Sequence, residues 1–442
     1  MSHKDLDVVI VGAGVLGATT GYWLSALYDC SVGIIDREPV PAAHASGRNT
    51  GVVHRPYYLD PSKKKLFARS ACASLPLWRL LAAKAGLPWS ETGTLQVAAE
   101  SDIRTIEKHY RWGLANGMAE EELALLSGAD ARALEPEVMC DAALHCRTDV
   151  STDYAALTRS IVSISVAKGV RFYPGHRLES VREVADRVNL SIASATGTTT
   201  MTAKCLVNVA GGGALGIAHS LGLGTGYAVL NFRGEYWGVA EPFASRVTRN
   251  VYPVPRHPQF PFLDPHLIVG ADGRRQVGPN AVPVAGAFTY SGFGLRSLSS
   301  AFQRPLGPKL ILATNPTFLS LISTEWRSSL SRSASCDRVK RYIPRLQRSH
   351  LAWRGLSGVR SSVVDIDGFL PEAVTMYGKR SAHVVNYNSP GATGAPVFSA
   401  VLVSEIARKG LLDGIPKKPP HPSLWDFDQA LSAAPSQGMN QR

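Results

Sequence analysis

The chain has 442 residues, of which 45% are hydrophobic and 19% are charged, with a formal net charge of +12. This composition is typical of a soluble globular protein that is long enough for two domains. No apolar run reaches the roughly 18 residues that a membrane span requires, which excludes an integral membrane segment. The basic clusters lack interleaved aromatic residues and any nucleic-acid motif, so we expect a solvated basic surface and no nucleic-acid partner.

The six cysteines are scattered along the chain, and none forms a C-x-x-C pair. This spacing is typical of free thiols in a reducing compartment, and it favours neither a disulfide framework nor a metal site. The first strand pattern begins almost at the amino terminus, without a signal or transit segment before it. We therefore expect a cytoplasmic protein.

The amino-terminal segment has the pattern of a strand, a glycine-rich turn, a helix and a second strand. The apolar run Val8–Val11 predicts the first strand, Val15–Leu27 predicts the helix, and Ser31–Ile35 predicts the second strand. The turn between the first strand and the helix reads G-x-G-x-x-G. This order of elements is much more specific for dinucleotide binding than the glycine motif alone.

Each glycine of this turn has a physical role in holding a dinucleotide. Gly12 permits the tight turn, Gly14 lets the backbone approach a pyrophosphate, and Gly17 lets the helix pack closely on the strand. The helix start presents free N–H groups to the phosphates, and Asp36 is placed to accept hydrogen bonds from the ribose hydroxyls. The residues expected to bind the cofactor here are Gly12, Gly14, Val15, Leu16, Gly17, Asp36 and Arg37.

Further elements follow in chain order. Helical patterns occupy Pro61–Ala85, Ser101–Asn116, Tyr154–Lys168 and Pro396–Arg408. Strand patterns occupy Gly93–Ala98, Val170–Pro174, Val188–Ala193 and Tyr227–Val239. A second apolar strand, 203–209, runs through Ala210 into Gly211 and two further glycines. A glycine-ended strand so far from the first predicts a discontinuous nucleotide domain, with Ala210 and Gly211 beside the cofactor.

These patterns predict an α/β fold in which a mostly parallel, Rossmann-like domain is interleaved with a mixed-sheet substrate domain. We assign residues 1–90, 150–225 and 346–415 to the nucleotide domain. Residues 91–149 and 226–345 form the expected substrate domain. The Pro-rich segment 416–442 is expected to be a peripheral tail.

Beyond the nucleotide motif, the chain resembles the D-amino-acid-oxidase-like flavoproteins, and within them the L-2-hydroxyglutarate dehydrogenase/oxidase branch. Five ordered segments carry the resemblance, which covers most of residues 5–410. They are His44–His54 (HASGRNTGVVH), Phe232–Tyr236 (FRGEY), Val277–Val282 (VGPNAV), Gly358–Arg360 followed by Asp367–Gly368 (GVR…DG), and Asn388–Thr393 (NSPGAT).

This resemblance implies a glutathione-reductase-type flavoprotein with bound FAD. It places the flavin between the Ser46–His54 loop and the turn that enters the last helix. The N–H groups at that helix start would face the flavin N1/O2 edge, where reduction places negative charge. The additional cofactor-binding residues implied are Ser46, Gly47, Arg48, Asn49, Gly51, Gly391, Ala392 and Thr393.

Two residues are the candidates for catalysis. A neutral imidazole at His54 is suited to take a hydroxyl proton as hydride leaves carbon. Arg360 offers a guanidinium fork that matches a substrate carboxylate. His54 is the preferred base, although a lone histidine is often structural. For Arg360 the alternative, an ion pair to Asp365 or Asp367, stays equally open. Tyr236, Tyr252 and Tyr290 are possible cavity-lining aromatics.

The sequence departs from the branch at two places. The segment His266–Gly273 (HLIVGADG) lacks the arginine expected before the Asp-Gly turn, and Pro283–Ser291 (PVAGAFTYS) lacks the expected Lys-Arg pair. A five-carbon dicarboxylate needs two anion sites. We therefore predict oxidation of a CH–OH group in a 2-hydroxy acid or a related small hydroxylated metabolite, with oxygen or another acceptor reoxidising the flavin.

Two alternatives share this fold. One is a sugar or polyol oxidase of a fungal secondary-metabolite pathway, of the kojic-acid type, which rests on analogy alone. The other is an amine or amino-acid oxidase. The Asn388–Thr393 turn contains no cysteine, so the covalent flavin of some amine-oxidising relatives is not expected there.

Overall fold

The computed structural model describes residues 4–262, 264–292, 294 and 302–435. The strands are β1 Lys4–Val11, β2 Val32–Ile35, β3 Val52–Val53, β4 Trp89–Ser90, β5 Thr94–Ala98, β6 Leu123–Ser127, β7 Ala142–Cys146, β8 Val150–Thr152, β9 Arg171–Tyr173, β10 Arg177–Val184, β11 Arg187–Ser194, β12 Gly197–Asn208, β13 Ala228–Gly234, β14 Trp237–Val239, β15 Asn250–Pro253, β16 His266–Val269, β17 Arg275–Gly278, β18 Val282–Val284, β19 Leu351–Arg354, β20 Gly358–Asp365, β21 Gly368–Phe369, β22 Val374–Tyr377 and β23 Ser381–Val385.

The α-helices are α1 Val15–Leu27, α2 Lys65–Ala85, α3 Ile103–Ala115, α4 Gly128–Leu134, α5 Tyr154–Ala167, α6 Ala214–Ser220, α7 Gly307–Ala313, α8 Pro316–Leu330, α9 Arg332–Lys340, α10 Gly391–Arg408 and α11 Phe427–Ser432. The longest of them are α2 and α10, with 21 and 18 residues. In the ranges that the structure describes, every helix is too short or too polar to cross a bilayer.

The first sheet carries the nucleotide motif. Its central strands β12, β1, β2 and β9 run parallel, and β23 joins β12 on the side away from β1. Parallel neighbours need crossover connections, and α1 provides one between β1 and β2. The second half of β1, Val8–Val11, and the whole of β2 are apolar because helices cover the sheet. A large buried cluster under α1, α5 and α10 forms the main core.

Two further sheets form the other half of the molecule. An eight-stranded sheet has the order β19-β14-β17-β16-β15-β5-β7-β6, and a four-stranded sheet has the order β18-β13-β20-β21. The strands β16 and β20 carry His266 and Arg360, respectively. The two sheets therefore bring residues from distant parts of the sequence to the wall that faces the nucleotide half.

The structure corrects the expected return to the nucleotide domain at residue 346. The strand β19 pairs with β14 and β20 pairs with β13, so both belong to the substrate half. The chain rejoins the first sheet only at β22 and β23. Alternating apolar strands look alike in either sheet, so sequence pattern alone could not place this boundary.

The expected single strand Tyr227–Val239 is in fact two strands in different sheets, β13 and β14. The break falls at Glu235, whose backbone N–H donates to the side-chain oxygen of Asn280 at 2.8 Å instead of to a strand partner. A side chain that takes over a ladder hydrogen bond lets the chain leave the sheet without burying an unpaired N–H group.

The segment after residue 415 is not simply a peripheral tail. Trp425 is fully buried in the main core, where its backbone N–H donates to the Tyr22 hydroxyl and its indole N–H donates to the Leu77 carbonyl. The Pro-rich composition around it obscured this single aromatic anchor. A buried tryptophan removes a large apolar area from water, and here its indole N–H is hydrogen-bonded. The burial of Trp425 therefore holds this segment against the core.

The last long helix, α10, begins at Gly391, five residues before the predicted start at Pro396. Proline favours the first turn of a helix, which explains the prediction. The earlier start places Ala392 and Thr393 in the first helical turn. As a result, the amino-terminal end of α10 reaches the cavity described next.

Candidate active site

A cavity of about 520 Å³ lies between the nucleotide half and the substrate half. Fifteen of the predicted site residues line it: Gly12, Gly14, Val15, Leu16, Asp36, Arg37, Ser46, Arg48, Asn49, His54, Ala210, Gly211, Arg360, Ala392 and Thr393. The other four, Gly17, Gly47, Gly51 and Gly391, are not part of its wall. The structure thus brings both catalytic candidates into the same space as the glycine turn.

The glycine turn is shaped by close backbone contacts. A Cβ atom on Gly17 would lie 1.8 Å from the Gly12 carbonyl oxygen, and one on Gly12 would lie 2.7 Å from the Val209 carbonyl oxygen. Gly12 also has a φ of 109°, which side chains rarely adopt. Gly17 therefore acts from behind the cavity wall, by allowing α1 to approach the turn.

The start of α1 is open to a ligand. Its N-cap residue is Gly14, which has no side chain to accept a hydrogen bond from the N–H groups of the first turn. The Val15 N–H donates to the Ser46 hydroxyl at 2.9 Å, which fixes the following loop over the helix start. Uncapped N–H groups at a helix start are the usual site for a pyrophosphate.

Asp36 follows β2 and lines the cavity. Its carboxylate accepts the N–H groups of Ala13 and Glu38 at 2.7 and 2.9 Å, which holds it at the end of the sheet. Each carboxylate oxygen can accept more than one hydrogen bond, so ribose hydroxyls can still bind it. The glycine turn and the Asp36 carboxylate therefore fit the adenosine end of a dinucleotide.

The loop from Ala42 to Gly51 covers the cavity and is braced by its own polar groups. Asn49 donates to the carbonyls of Ala45 and Ser46 and accepts from the Gly51 N–H. A Cβ atom on Gly51 would lie 2.4 Å from the Thr152 carbonyl, and one on Gly47 would lie 2.2 Å from the Ala42 carbonyl. Asn49 thus supports the loop backbone while it lines the cavity.

The first turn of α10 is tied to the residues around His54. The Thr393 hydroxyl oxygen accepts a hydrogen bond from the backbone N–H of His54 at 3.1 Å, and it lies 2.9 Å from the Tyr154 hydroxyl. The Thr393 carbonyl accepts the indole N–H of Trp78 at 2.8 Å. A Cβ atom on Gly391 would meet the Tyr387 ring at 2.9 Å. These contacts fix the helix start relative to His54.

The Asp149 carboxylate, which the sequence analysis did not select, lies behind His54. The Nδ1 atom of His54 lies 3.6 Å from Oδ2 of Asp149, and the Asp149 side chain is fully buried. The Asp149 carboxylate also accepts hydrogen bonds from the backbone N–H of Arg55 and from the Thr94 hydroxyl, both at 2.6 Å. A carboxylate at Nδ1 favours the tautomer in which Nε2 carries the lone pair.

Arg360 lies in the cavity wall on β20. Its Nη1 donates to the Pro261 carbonyl, and in the described part of the chain no carboxylate forms an ion pair with it. The proposed structural pairs with Asp365 and Asp367 are therefore not formed. Burial lowers the pKa of Arg360, and the nearby Tyr236 and Tyr58 hydroxyls oppose this effect. A guanidinium remains protonated in such surroundings and is able to bind an anion.

His266 is a second cavity-lining histidine, which the sequence analysis did not select. Its Nδ1 lies 2.9 Å from the Asp264 carbonyl, so this nitrogen must donate and Nε2 must carry the lone pair. The ring stacks on Tyr252 with centroids 3.9 Å apart. Burial lowers the pKa of His266 to about 3. Tyr252 itself is not part of the cavity wall, whereas Tyr236 is.

The segment after β18 reaches across to the nucleotide end of the cavity. The guanidinium of Arg37 lies 3.4 Å from the ring centroid of Phe288, and that of Arg48 lies 4.1 Å from the ring centroid of Tyr290. The Tyr290 hydroxyl is 2.6 Å from Nδ1 of His44. These cation–π contacts join the two halves at a place where sequence pattern offered no signal.

Comparison with known proteins agrees with this geometry. The model of the family described as FAD dependent oxidoreductase, DAO, matches residues 7–405. The chain belongs to this family, and the prediction that it is an FAD-dependent oxidoreductase is confirmed. The glycine cradle, the open start of α1 and Asp36 are the features that fit the cofactor.

Curated relatives include the L-2-hydroxyglutarate dehydrogenase of Escherichia coli strain K12, which is 29% identical over 406 residues and covers 90% of this chain and 93% of that protein. The mitochondrial L-2-hydroxyglutarate dehydrogenase of Homo sapiens is 26% identical over 424 residues, with 92% and 90% covered. The resemblance stated from the sequence is thereby confirmed.

Solved structures show the same fold. The L-α-glycerophosphate oxidase of Mycoplasma pneumoniae with FAD bound superimposes with a TM-score of 0.70 at 22% identity, covering 94% of this chain and 97% of that chain. The glycine oxidase of Geobacillus kaustophilus gives a TM-score of 0.68 at 17% identity, covering 92% and 95%. The expected interleaved α/β flavoprotein fold is therefore confirmed.

Proposed function

We propose that this protein oxidises the CH–OH carbon of a 2-hydroxy acid to a carbonyl, with Arg360 as the carboxylate site and His54 as the base. One observation carries the proposal. Arg360 is a half-buried guanidinium without a carboxylate partner in the described residues, and it lines the same cavity as His54. A cation that is partly withdrawn from water without a counter-charge is costly, so a site that retains one is suited to an anionic ligand.

FAD, when bound, accepts the hydride that leaves the substrate carbon. The other tasks fall to the chain's own residues. Arg360 would hold the carboxylate and thereby orient the neighbouring C–H bond. His54, with Asp149 at Nδ1, would take the hydroxyl proton at Nε2. Asp149 would then stabilise the positive imidazolium that results.

The start of α10 supports the same reading. It points its first turn toward the cavity, where Ala392 and Thr393 lie in the wall. A helix start stabilises negative charge that develops nearby. Thr393 would serve mainly to join this helix to His54, because its hydroxyl already contacts the His54 N–H and the Tyr154 hydroxyl.

The experiment is anaerobic reduction of the purified holoenzyme. The bound flavin is mixed with 2-hydroxy acids, amino acids and neutral sugars, and its visible absorbance is followed while the products are identified. We expect bleaching by hydroxy acids with formation of a 2-oxo acid. Bleaching by amino acids alone, with release of ammonia, would replace this proposal by amine oxidation, and bleaching by neutral sugars alone would replace it by sugar oxidation.

The acceptor and the cellular location are part of the same proposal. We infer that oxygen or another small acceptor reoxidises the flavin, which oxygen uptake during turnover tests. All six cysteines are free, which supports a reducing compartment such as the cytoplasm. A fluorescent fusion of the full chain would locate it, and a signal in a secretory compartment would contradict this part.

A further inference from the structure

The part of the cavity around Arg360 has a predominantly aromatic wall. We call it the Arg360 pocket and define it by Arg360, His54, His266, Tyr236, Phe232 and Phe262, all of which line the cavity. Phe232 lies directly opposite Arg360 in the antiparallel pair of β13 and β20. Directly opposed residues project from the same face of a sheet, so the phenyl ring lies beside the guanidinium.

Phe262 extends this aromatic surface. Its ring centroid lies 4.4 Å from that of Phe232. The preceding residue, Pro261, accepts a hydrogen bond from Arg360 through its carbonyl. The segment that carries Phe262 is thus attached to the same guanidinium that would bind a carboxylate.

Within the described residues, Arg360 is the one cavity-lining arginine that does not serve the nucleotide end or the surface. Arg37 stacks on Phe288 and lies 3.4 Å from the Glu38 carboxylate. Arg48 donates to the carbonyls of Ala43 and Ser357 and stacks on Tyr290. Arg177 pairs with Glu179 and has 63% of its side chain exposed.

The remaining nearby basic groups do not add a second cation to the pocket. His266 donates through Nδ1 to a backbone carbonyl, and its depressed pKa of about 3 keeps it neutral at physiological pH. Lys64 is half-buried and is not part of the cavity wall. Burial and the nearby Arg360 guanidinium lower the pKa of Lys64, and the Glu372 and Asp60 carboxylates oppose this effect.

We propose that the Arg360 pocket selects a 2-hydroxy acid with one carboxylate and an apolar, preferably aromatic, substituent, and that it rejects a second carboxylate. This inference rests on the proposed function. A second carboxylate beyond the hydroxyl carbon would be buried against Phe232, Phe262 and Tyr236 without a counter-charge. An unpaired buried carboxylate is strongly unfavourable, whereas a phenyl or branched alkyl group gains free energy by leaving water.

The test compares two acids that differ in the substituent. Both enantiomers of 2-hydroxy-3-phenylpropanoate and of 2-hydroxyglutarate are supplied to the holoenzyme, and kcat/KM is measured for each. We expect the better enantiomer of the phenyl acid to exceed the better enantiomer of the dicarboxylate by about tenfold or more. A preference for 2-hydroxyglutarate would overturn the inference and leave the proposed function intact. Inactivity with every hydroxy acid would instead refute the proposed function.

A substitution adds a second cation at the aromatic wall. Phe262→Arg is expected to shift the ratio of kcat/KM toward 2-hydroxyglutarate by about tenfold, because the new guanidinium supplies the missing counter-charge. Phe262→Leu is the matched control, which keeps the wall apolar and retains the preference for the phenyl acid. An unchanged ratio in a Phe262→Arg protein that retains its flavin would contradict the inference.

A binding measurement on the unmodified holoenzyme does not depend on any variant. Phenylacetate and glutarate are titrated, and the perturbation of the flavin spectrum gives each dissociation constant. We expect phenylacetate to bind more tightly by about tenfold. Equal or tighter binding of glutarate would show that the pocket accepts a second carboxylate, and the inference would be wrong.

Discussion

The Nδ1 atom of His54 lies 3.6 Å from the Oδ2 atom of Asp149, a carboxylate with no exposure to solvent. The Arg55 N–H and the Thr94 hydroxyl hold this carboxylate from two other directions. The histidine and its carboxylate come from β-strand regions almost a hundred residues apart. Their approach gives the proposed base a fixed orientation.

Replacing Asp149 by Asn tests this relationship. We expect kcat for a hydroxy acid to fall by about 10²-fold, because the imidazolium loses its anionic neighbour. Asp153→Asn, at the N-cap of α5, is the control. An unchanged kcat in a folded, flavin-containing Asp149→Asn protein would contradict this role of the carboxylate.

Replacing Arg360 by Leu tests the carboxylate site. We expect binding of a hydroxy acid to weaken by about 2–4 kcal/mol, the range for removing one member of a buried charge pair. Arg256→Leu, an exposed arginine in the same half, should leave binding unchanged. The dissociation constant of a non-reactive carboxylate, followed through the flavin spectrum, gives the answer. An unchanged constant would exclude Arg360 as the anion site.

Replacing Gly17 by Ala tests the cradle. The new Cβ would lie 1.8 Å from the Gly12 carbonyl oxygen, so α1 must move away from the turn and FAD should be retained poorly. Gly216→Ala in α6 meets nothing within 4 Å and should keep its full flavin content. The flavin-to-protein ratio after gel filtration distinguishes the two. Normal FAD retention by Gly17→Ala would contradict the assigned role of the close contact.

Because the protein contains buried histidines, we expect its folded state to be less stable in mild acid. Burial lowers the pKa of His109 to about 4, below the roughly 6.5 of an unfolded chain. Unfolding therefore takes up a proton, so stability is complete above about pH 6.5 and declines toward about pH 4, by up to about 1.4 kcal/mol per pH unit for each such proton. Denaturant unfolding between pH 8 and 5 measures the slope.

The variant for this prediction is His109→Gln, because an amide can still donate to the Gln96 oxygen that lies 2.7 Å from the histidine Nδ1. We expect a shallower dependence of the unfolding free energy on pH. His421→Gln, at an exposed position, should keep the slope of the unmodified protein. Equal slopes for all three proteins would show that His109 does not take up the proton.

The nucleotide half was largely predictable because its signals are local. The helix Val15–Leu27 was placed with both of its observed ends, since glycine spacing and apolar periodicity lie within a few residues of one another. The amphipathic helix after Asp153 was also found, and Asp153 caps it by accepting the Ala156 N–H. Such features depend on neighbours in sequence.

The residues missed by sequence analysis act through distant contacts. Asp149 carries no local motif, and its importance follows from its contacts with His54 and Thr94. His266 was noted only as the first residue of a segment that lacks an expected arginine. Its stacking on Tyr252 and its place in the cavity wall depend on the eight-stranded sheet. The pattern of a single sequence does not show which strands pair when they lie so far apart in the chain.

The first sheet joins opposite ends of the polypeptide, because β12 lies between β1 and β23. During synthesis the glycine turn leaves the ribosome first, and the helix start that carries Ala392 and Thr393 emerges only after nearly four hundred residues. A nascent or truncated chain that ends before α10 therefore lacks the part of the cavity wall that Ala392 and Thr393 form. We therefore expect FAD to bind only after α10 has been synthesised, and nonsense variants that end before α10 should accumulate as colourless, protease-sensitive apoprotein.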